Sequence, residues 1–239
     1  MLSPKINRAK LRAEFAKKGR VHIRDVLEKA PAEAIHAALL ANDRWNLVFD
    51  HDGRHRDLDA AGMAAIGEEK MAEFLRIVHA QATKRFQYLF SNFPMYEVYH
   101  RKSLPGHFLN GVFEFLNSEP VLSLVKAVTG ANDIGFADAQ ATRYAAGHFL
   151  TVHDDGIEGK DRRVAYVLNF TPEWRADWGG QLQFIGEDGH VEHAYVPAFN
   201  ALNLFKVPKP HAVSIVAPFA GGARYSITGW FRAGDDPGP

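Results

Sequence analysis

The sequence contains no cysteine and has no net charge, with 28 lysines and arginines matched by 28 aspartates and glutamates over 239 residues. Without cysteine there is no disulfide scaffold, no thiolate nucleophile, and no thiolate-bound zinc or iron–sulfur centre. The balanced charge argues against strong nucleic-acid binding or an acidic membrane surface as the main partner. No apolar run approaches the roughly 20 residues that span a bilayer, and the opening MLSPKINRAKLRAEFAKKGR lacks the apolar centre of a secretory signal. A soluble, cytoplasmic protein of unspecified oligomeric state is the expectation. Any bound metal must then sit on imidazole and carboxylate, which directs attention to the 12 histidines.

What is present suits one well-packed core: 46% of residues are hydrophobic and 17 are phenylalanine. The expected organisation is a single catalytic unit with helical support over 1–132, a strand-rich core over 133–232 and a frayed tail over 233–239. Seven of the first 20 residues are basic against one acid, Glu14; a solvated helix face with Ile6, Leu11 and Phe15 turned inward accounts for them. Helical spacing predicts helices over 31–41, 68–90, 108–117 and 120–129, the second placing Met71, Phe74, Leu75, Val78, Ala82, Phe86 and Leu89 on one stripe. Between the first two, RWNLVFDHDGRHRDL reads as two strands around Asp52-Gly53. That hairpin is a candidate substrate-facing loop through Trp45, or else an exposed hairpin packed by Trp45 and Phe49.

After residue 133 the pattern changes to β-branched and aromatic runs separated by Gly, Pro and Asp. About eight strands in roughly 100 residues is the cadence of a jelly roll, so the fold class expected is α+β with a mainly β core. Within it, a carboxylate two residues after a histidine shares its strand face. Such pairs are weak evidence alone, since about 1.4 arise by chance at this composition; the sequence has His55/Asp57, His153/Asp155 and His190/Glu192. A two-histidine, one-carboxylate metal site needs a second histidine from a distant strand. His211, opening a strand in PKPHAVSIV, supplies it for His153/Asp155, whereas the other two pairs are expected to face water. Asp154 should point away. Downstream, Arg224, Ser226, Thr228 and Trp230 alternate along ARYSITGWF. An arginine aimed into a barrel needs an anion, and its planar fork suits a carboxylate; taken alone, the motif is as well read as an edge-strand arginine facing solvent.

His153-x-Asp155, His211 and Arg224-x-Ser226 on a strand-rich half resemble the iron(II)- and 2-oxoglutarate-dependent oxygenases, whose fold is the double-stranded β-helix, or jelly roll. TRYAAGHFLTVHDD, RRVAYVLNFTPEW, WGGQLQF, PAFNALNLF and RYSITGWF are similar to the prolyl-hydroxylase branch, which includes ribosomal and hypoxia-sensing prolyl hydroxylases, over roughly Asp133 to Arg232. The resemblance implies iron(II) on His153, Asp155 and His211, with 2-oxoglutarate and O2 as co-substrates and ascorbate as an accessory reductant. It further implies Arg224, assisted by Ser226, on the distal carboxylate of 2-oxoglutarate, Tyr144 lining that pocket, and Trp230 close to the metal as a substrate-pocket residue. Two departures stand out. Val167 occupies the position of a hypoxia-enzyme tyrosine before Leu168-Asn169, so another group must complete the pocket, and the run APFAGG lengthens the connection between His211 and Arg224. No second barrel follows Arg232 within these residues, so a ribosomal substrate is not implied. The expected reaction is hydroxylation of a prolyl residue in a protein or peptide. The same chemistry on a free amino acid or small molecule is the alternative; a cupin-like isomerase or hydrolase, or a non-catalytic binding domain, is the alternative of a different class.

Overall fold

The computed structural model describes residues 1–239, the side chain of Glu68 excepted. The first part of the chain runs α1 (Arg8–Lys18), β1 (Arg20–Ile23), α2 (Lys29–Ala41), β2 (Asn46–His51), β3 (Arg54–Leu58), α3 (Ala60–Ile66), α4 (Glu68–Ala82), β4 (Tyr88–Phe93), α5 (Met95–His100), α6 (Phe108–Leu116) and α7 (Glu119–Thr129). The second part is almost all strand: β5 (Ile134–Ala137), β6 (Gln140–Tyr144), β7 (Phe149–His153), β8 (Arg162–Asn169), β9 (Leu182–Ile185), β10 (Val191–Tyr195), β11 (Ala201–Lys206), β12 (His211–Val213) and β13 (Arg224–Ala233).

Local chemistry accounts for the helix ends. The Asn7 side chain accepts from the Lys10 amide at 3.0 Å, and Gly19 closes α1 in the left-handed conformation that an L-residue avoids. Phe15 is the buried residue of α1, with Ile6 and Leu11 packed partly against the same core.

The strands curl into one antiparallel sheet of the jelly-roll kind, ordered β1-β11-β8-β13-β6-β4-β7-β12-β9-β10, with β3 reaching β4 through β2 and β5 lying on the end of β13. Period-two burial sorts the central strand β8: Val164, Tyr166 and Leu168 face the helices in the main core, while Ala165 and Val167 face the barrel interior. Ile35, Leu39, Leu109, Val112, Phe113, Leu124 and Val125 from α2, α6 and α7 cover the outer face of that sheet. Among the described residues, no helix is long and apolar enough to cross a membrane.

Three expectations are corrected. The helix expected over 68–90 stops at Ala82, and Tyr88–Phe93 is instead the strand between β6 and β7. A spacing of three puts Phe86 and Leu89 on one helix face but on opposite faces of an extended segment, where Phe86 lines the cavity and Leu89 packs against α4, and long-range pairing decides for the strand. Met71, Phe74, Leu75, Val78 and Ala82 still share one face, packed on Leu47, Leu89 and Phe149. Secondly, four strands precede residue 133, so the sheet draws on the part of the chain expected to be mainly helical. Finally, the tail is tied down: Gly234 N–H donates to the Asp133 carbonyl at 3.2 Å, Tyr96 donates to Asp236, and His100 Nε2 lies 3.0 Å from the same carboxylate.

Candidate active site

His153 ends β7 and His211 opens β12, and the antiparallel pairing sets them opposite one another with ring centroids 4.1 Å apart. Asp155 completes the cluster by a different route from the one expected. The strand ends at His153, and Asp155 has φ 65°, a left-handed turn that swings its carboxylate back toward the imidazoles. Its two oxygens lie 3.3 Å from His153 Nε2 and 3.4 Å from His211 Nε2. Asp154 is exposed at the cavity's edge and its carboxylate accepts from the Gly156 amide at 2.9 Å.

The donor set fits a divalent metal. One candidate ligand atom from each of the three residues lies within 4.8 Å of the others. His153 Nδ1 is 3.0 Å from the Thr151 carbonyl, and His211 Nδ1 is 2.8 Å from that of Lys209. A carbonyl only accepts, so each Nδ1 carries the proton and each Nε2 presents a lone pair. Burial, and then the neighbouring His153, pushes His211 down to about 4, which keeps it neutral. Two lone pairs and a buried carboxylate converging on one point repel each other unless a cation lies between them.

A cavity of about 620 Å³ opens from this cluster. Arg224, at the start of β13, lies in its wall, 2% exposed, with Nε and Nη1 lacking any hydrogen-bond partner. Among the described residues no carboxylate pairs with it. Its guanidinium is 5.2 Å from the Tyr144 ring, which stacks on Phe90 at 5.0 Å. A wholly buried cation with two unused donors is costly as it stands and is completed by a carboxylate, as 2-oxoglutarate would supply. Ser226 is buried behind it, with its hydroxyl 2.8 Å from that of Thr142. Gly180 keeps this end compact: at φ 62° a Cβ would come within 3.3 Å of Trp174 and Val216 and 3.6 Å of the Arg224 side chain.

Residues 139–232 match the family described as the 2OG-Fe(II) oxygenase superfamily. Over 102 residues the chain is 37% identical to prolyl 3-hydroxylase OGFOD1 of Xenopus laevis, covering 40% of this chain and 19% of that protein. This stretch of the chain is thus similar to the 2OG-Fe(II) oxygenases and, within them, to a prolyl 3-hydroxylase. It spans about a fifth of the length of the curated relatives it matches first. The fold is also that of a Pseudomonas putida prolyl-4-hydroxylase, with a TM-score of 0.57 at 19% identity over 95% of this chain and 100% of that one. A Trichoplax adhaerens prolyl hydroxylase, solved with a hypoxia-inducible-factor peptide fragment, gives 0.59 at 16% identity over 95% of this chain and 89% of the other. The 2OG-Fe(II) oxygenase family uses iron(II), 2-oxoglutarate and O2, and the fold seen here brings the His-Asp-His triad and the unpaired arginine to one cavity.

Other candidates fall differently. Trp230 lines the cavity, its ring 3.4 Å beneath the Arg162 guanidinium. Trp45 does not: it is 6% exposed in the main core, 6.1 Å from the Tyr225 ring, and Phe49 packs on Phe74. The hairpin reaches the cavity through His55 instead, whose pair with Asp57 was expected simply to face water. His190 and Glu192 are exposed, as expected. Val167 lines the cavity between Asn203 and Thr228 on neighbouring strands, leaving Thr142, Gln140 and Thr228 as the polar lining beside Arg224. Arg162, which donates to the Asp155 carbonyl at 3.1 Å and so braces the metal loop, was missed, as were Phe86, Tyr88 and Phe90 along one wall. The alternation of those aromatics was the available signal, hidden by the helical reading.

Proposed function

We propose that this oxygenase hydroxylates a prolyl residue in a protein or peptide. The observation that carries the reading is the buried, unpartnered Arg224 in the same cavity as His153, Asp155 and His211. A metal-dependent isomerase or hydrolase on the same triad has no use for such an arginine. The prolyl preference draws its support from the OGFOD1 relatives and the fold shared with prolyl hydroxylases.

When bound, iron(II) with O2 supplies the oxidation of an unactivated C–H bond, coupled to conversion of 2-oxoglutarate into succinate and carbon dioxide. The chain's residues prepare the ground for it. The Thr151 and Lys209 carbonyls hold both imidazoles in the ligating tautomer, and Arg162 fixes the turn that presents Asp155. Arg224 neutralises the distal carboxylate of the co-substrate, with Thr142 and Ser226 hydroxyls behind it. Val167, Leu182 and Phe205 give the cavity a dry wall that keeps water from the reacting centre.

The test is anaerobic addition of iron(II) and then 2-oxoglutarate to metal-free protein, followed by air and a set of proline-containing peptides. A weak visible charge-transfer band, succinate, and a gain of one oxygen on proline by mass spectrometry are expected. Absence of both band and succinate would falsify the oxygenase reading; oxygen on another residue would remove only the prolyl part.

A further inference from the structure

One wall of the cavity is built by side chains that neither the metal cluster nor Arg224 uses. Phe86, Tyr88 and Phe90 stand at alternate positions along it, with neighbouring rings 5.6 and 5.7 Å apart. Phe86 lies 5.5 Å from the His153 ring, and Phe90 stacks on Tyr144 beside Arg224. The strip therefore runs from the metal cluster to the co-substrate end. Its one polar atom is the Tyr88 hydroxyl.

That hydroxyl lies 2.6 Å from His55 Nδ1, and His55 Nε2 lies 3.2 Å from Asp57 Oδ1. A carboxylate only accepts, so Nε2 carries the proton and Nδ1 becomes the acceptor. Tyr88 then donates to His55, and its oxygen is left as a hydrogen-bond acceptor for the cavity. Burial, with the charges of Asp50 and Asp57, pushes the phenol up, so it stays neutral. The hairpin bearing His55 is locked in place: buried Gln87 donates to the Asp50 carbonyl at 3.0 Å and accepts from its amide at 2.9 Å, while Arg85 pairs with Asp52 at 2.9 Å.

We propose that Tyr88 is a specificity residue of this oxygenase, accepting a hydrogen bond from a backbone N–H of a bound peptide whose proline ring lies on the Phe86–Phe90 strip. His55, oriented by Asp57, is the positioning residue that keeps Tyr88 an acceptor. Proline has no amide N–H of its own, so the donor belongs to a flanking residue. This proposal rests on the prolyl-peptide reading above.

The test uses peptides that the iron-loaded wild type hydroxylates, with their binding measured on enzyme loaded with Mn(II) and 2-oxoglutarate. Tyr88→Phe and His55→Leu each weaken peptide binding and raise the peptide KM by about tenfold, the loss of one hydrogen bond. Both keep wild-type affinity for 2-oxoglutarate, and His55→Gln, which can accept from Tyr88 and donate to Asp57, restores peptide binding. Methylating the peptide nitrogens one at a time finds one position that costs the wild type about tenfold and costs Tyr88→Phe nothing further. If Tyr88→Phe binds and hydroxylates peptides as the wild type does, the role of Tyr88 is overturned and the prolyl reading stands. If the wild type hydroxylates no proline-containing peptide, both fall together.

Discussion

His153 and His211 are cross-strand partners in an antiparallel pair, and each turns its Nδ1 onto the carbonyl two residues before it, Thr151 and Lys209. The same local arrangement, made twice, points both Nε2 atoms at Asp155. Two of the three candidate ligands are thereby held on strand ends, and the third on the turn that follows.

Replacing one ligand removes a lone pair that no neighbour can supply. His211→Ala is expected to lower iron(II) affinity by more than about a hundredfold, beyond the 10–100-fold typical of losing an outer partner. Metal content after dialysis measures it, and retention of iron would remove His211 from the site.

Arg224 is a buried charge waiting for an anion, so two effects should separate. Arg224→Met abolishes the stabilisation that 2-oxoglutarate gives the wild type, about 2.7 kcal/mol at a hundred times Kd. It should also leave the co-substrate-free protein no less stable, because a similar-sized apolar side chain avoids the desolvation of an unpaired guanidinium. Thermal melts with and without 2-oxoglutarate report both; an unchanged ligand shift would sink the assignment.

His148 is buried, and burial pushes it down to about 4. The unfolded chain therefore binds more protons than the folded one between about pH 4 and 6.5, so His148 contributes a loss of stability as pH falls through that window and none above it. Asp138, raised to about 6 by burial, acts in the opposite sense over part of the range. Comparing metal-free wild type with His148→Gln isolates the histidine. Denaturant midpoints between pH 7 and 4 should fall less steeply in the variant, by up to roughly 3 kcal/mol for a shift of this size; parallel profiles would refute it.

Trp45 belongs to the core. Trp45→Ala is expected to cost about 3–5 kcal/mol of stability while leaving the KM for peptide unchanged in whatever fraction remains folded. A raised KM without destabilisation would return Trp45 to the substrate surface.

Apart from the role of Arg224, which came from the family resemblance, the strand-rich core, the hairpin around Asp52-Gly53, and His153, Asp155 and His211 as a candidate ligand set were legible in the sequence. Each of these is a local pattern: alternation within a strand, a turn dipeptide, or ligand types at a characteristic spacing. Tertiary structure decided the rest. Residues 88–93 pair with β6 and β7, which local periodicity could not foresee because Phe86 and Leu89 continue the helical stripe of α4. That one choice placed Phe86, Tyr88 and Phe90 on the cavity wall and brought Tyr88 to His55, 33 residues away in sequence. Trp45 likewise went into the main core, where its ring lies 6.1 Å from that of Tyr225 on β13. Asp155 reached the metal cluster through a left-handed turn after the strand had ended, a backbone state that the Arg162 bond braces and that the His-x-Asp spacing does not foresee.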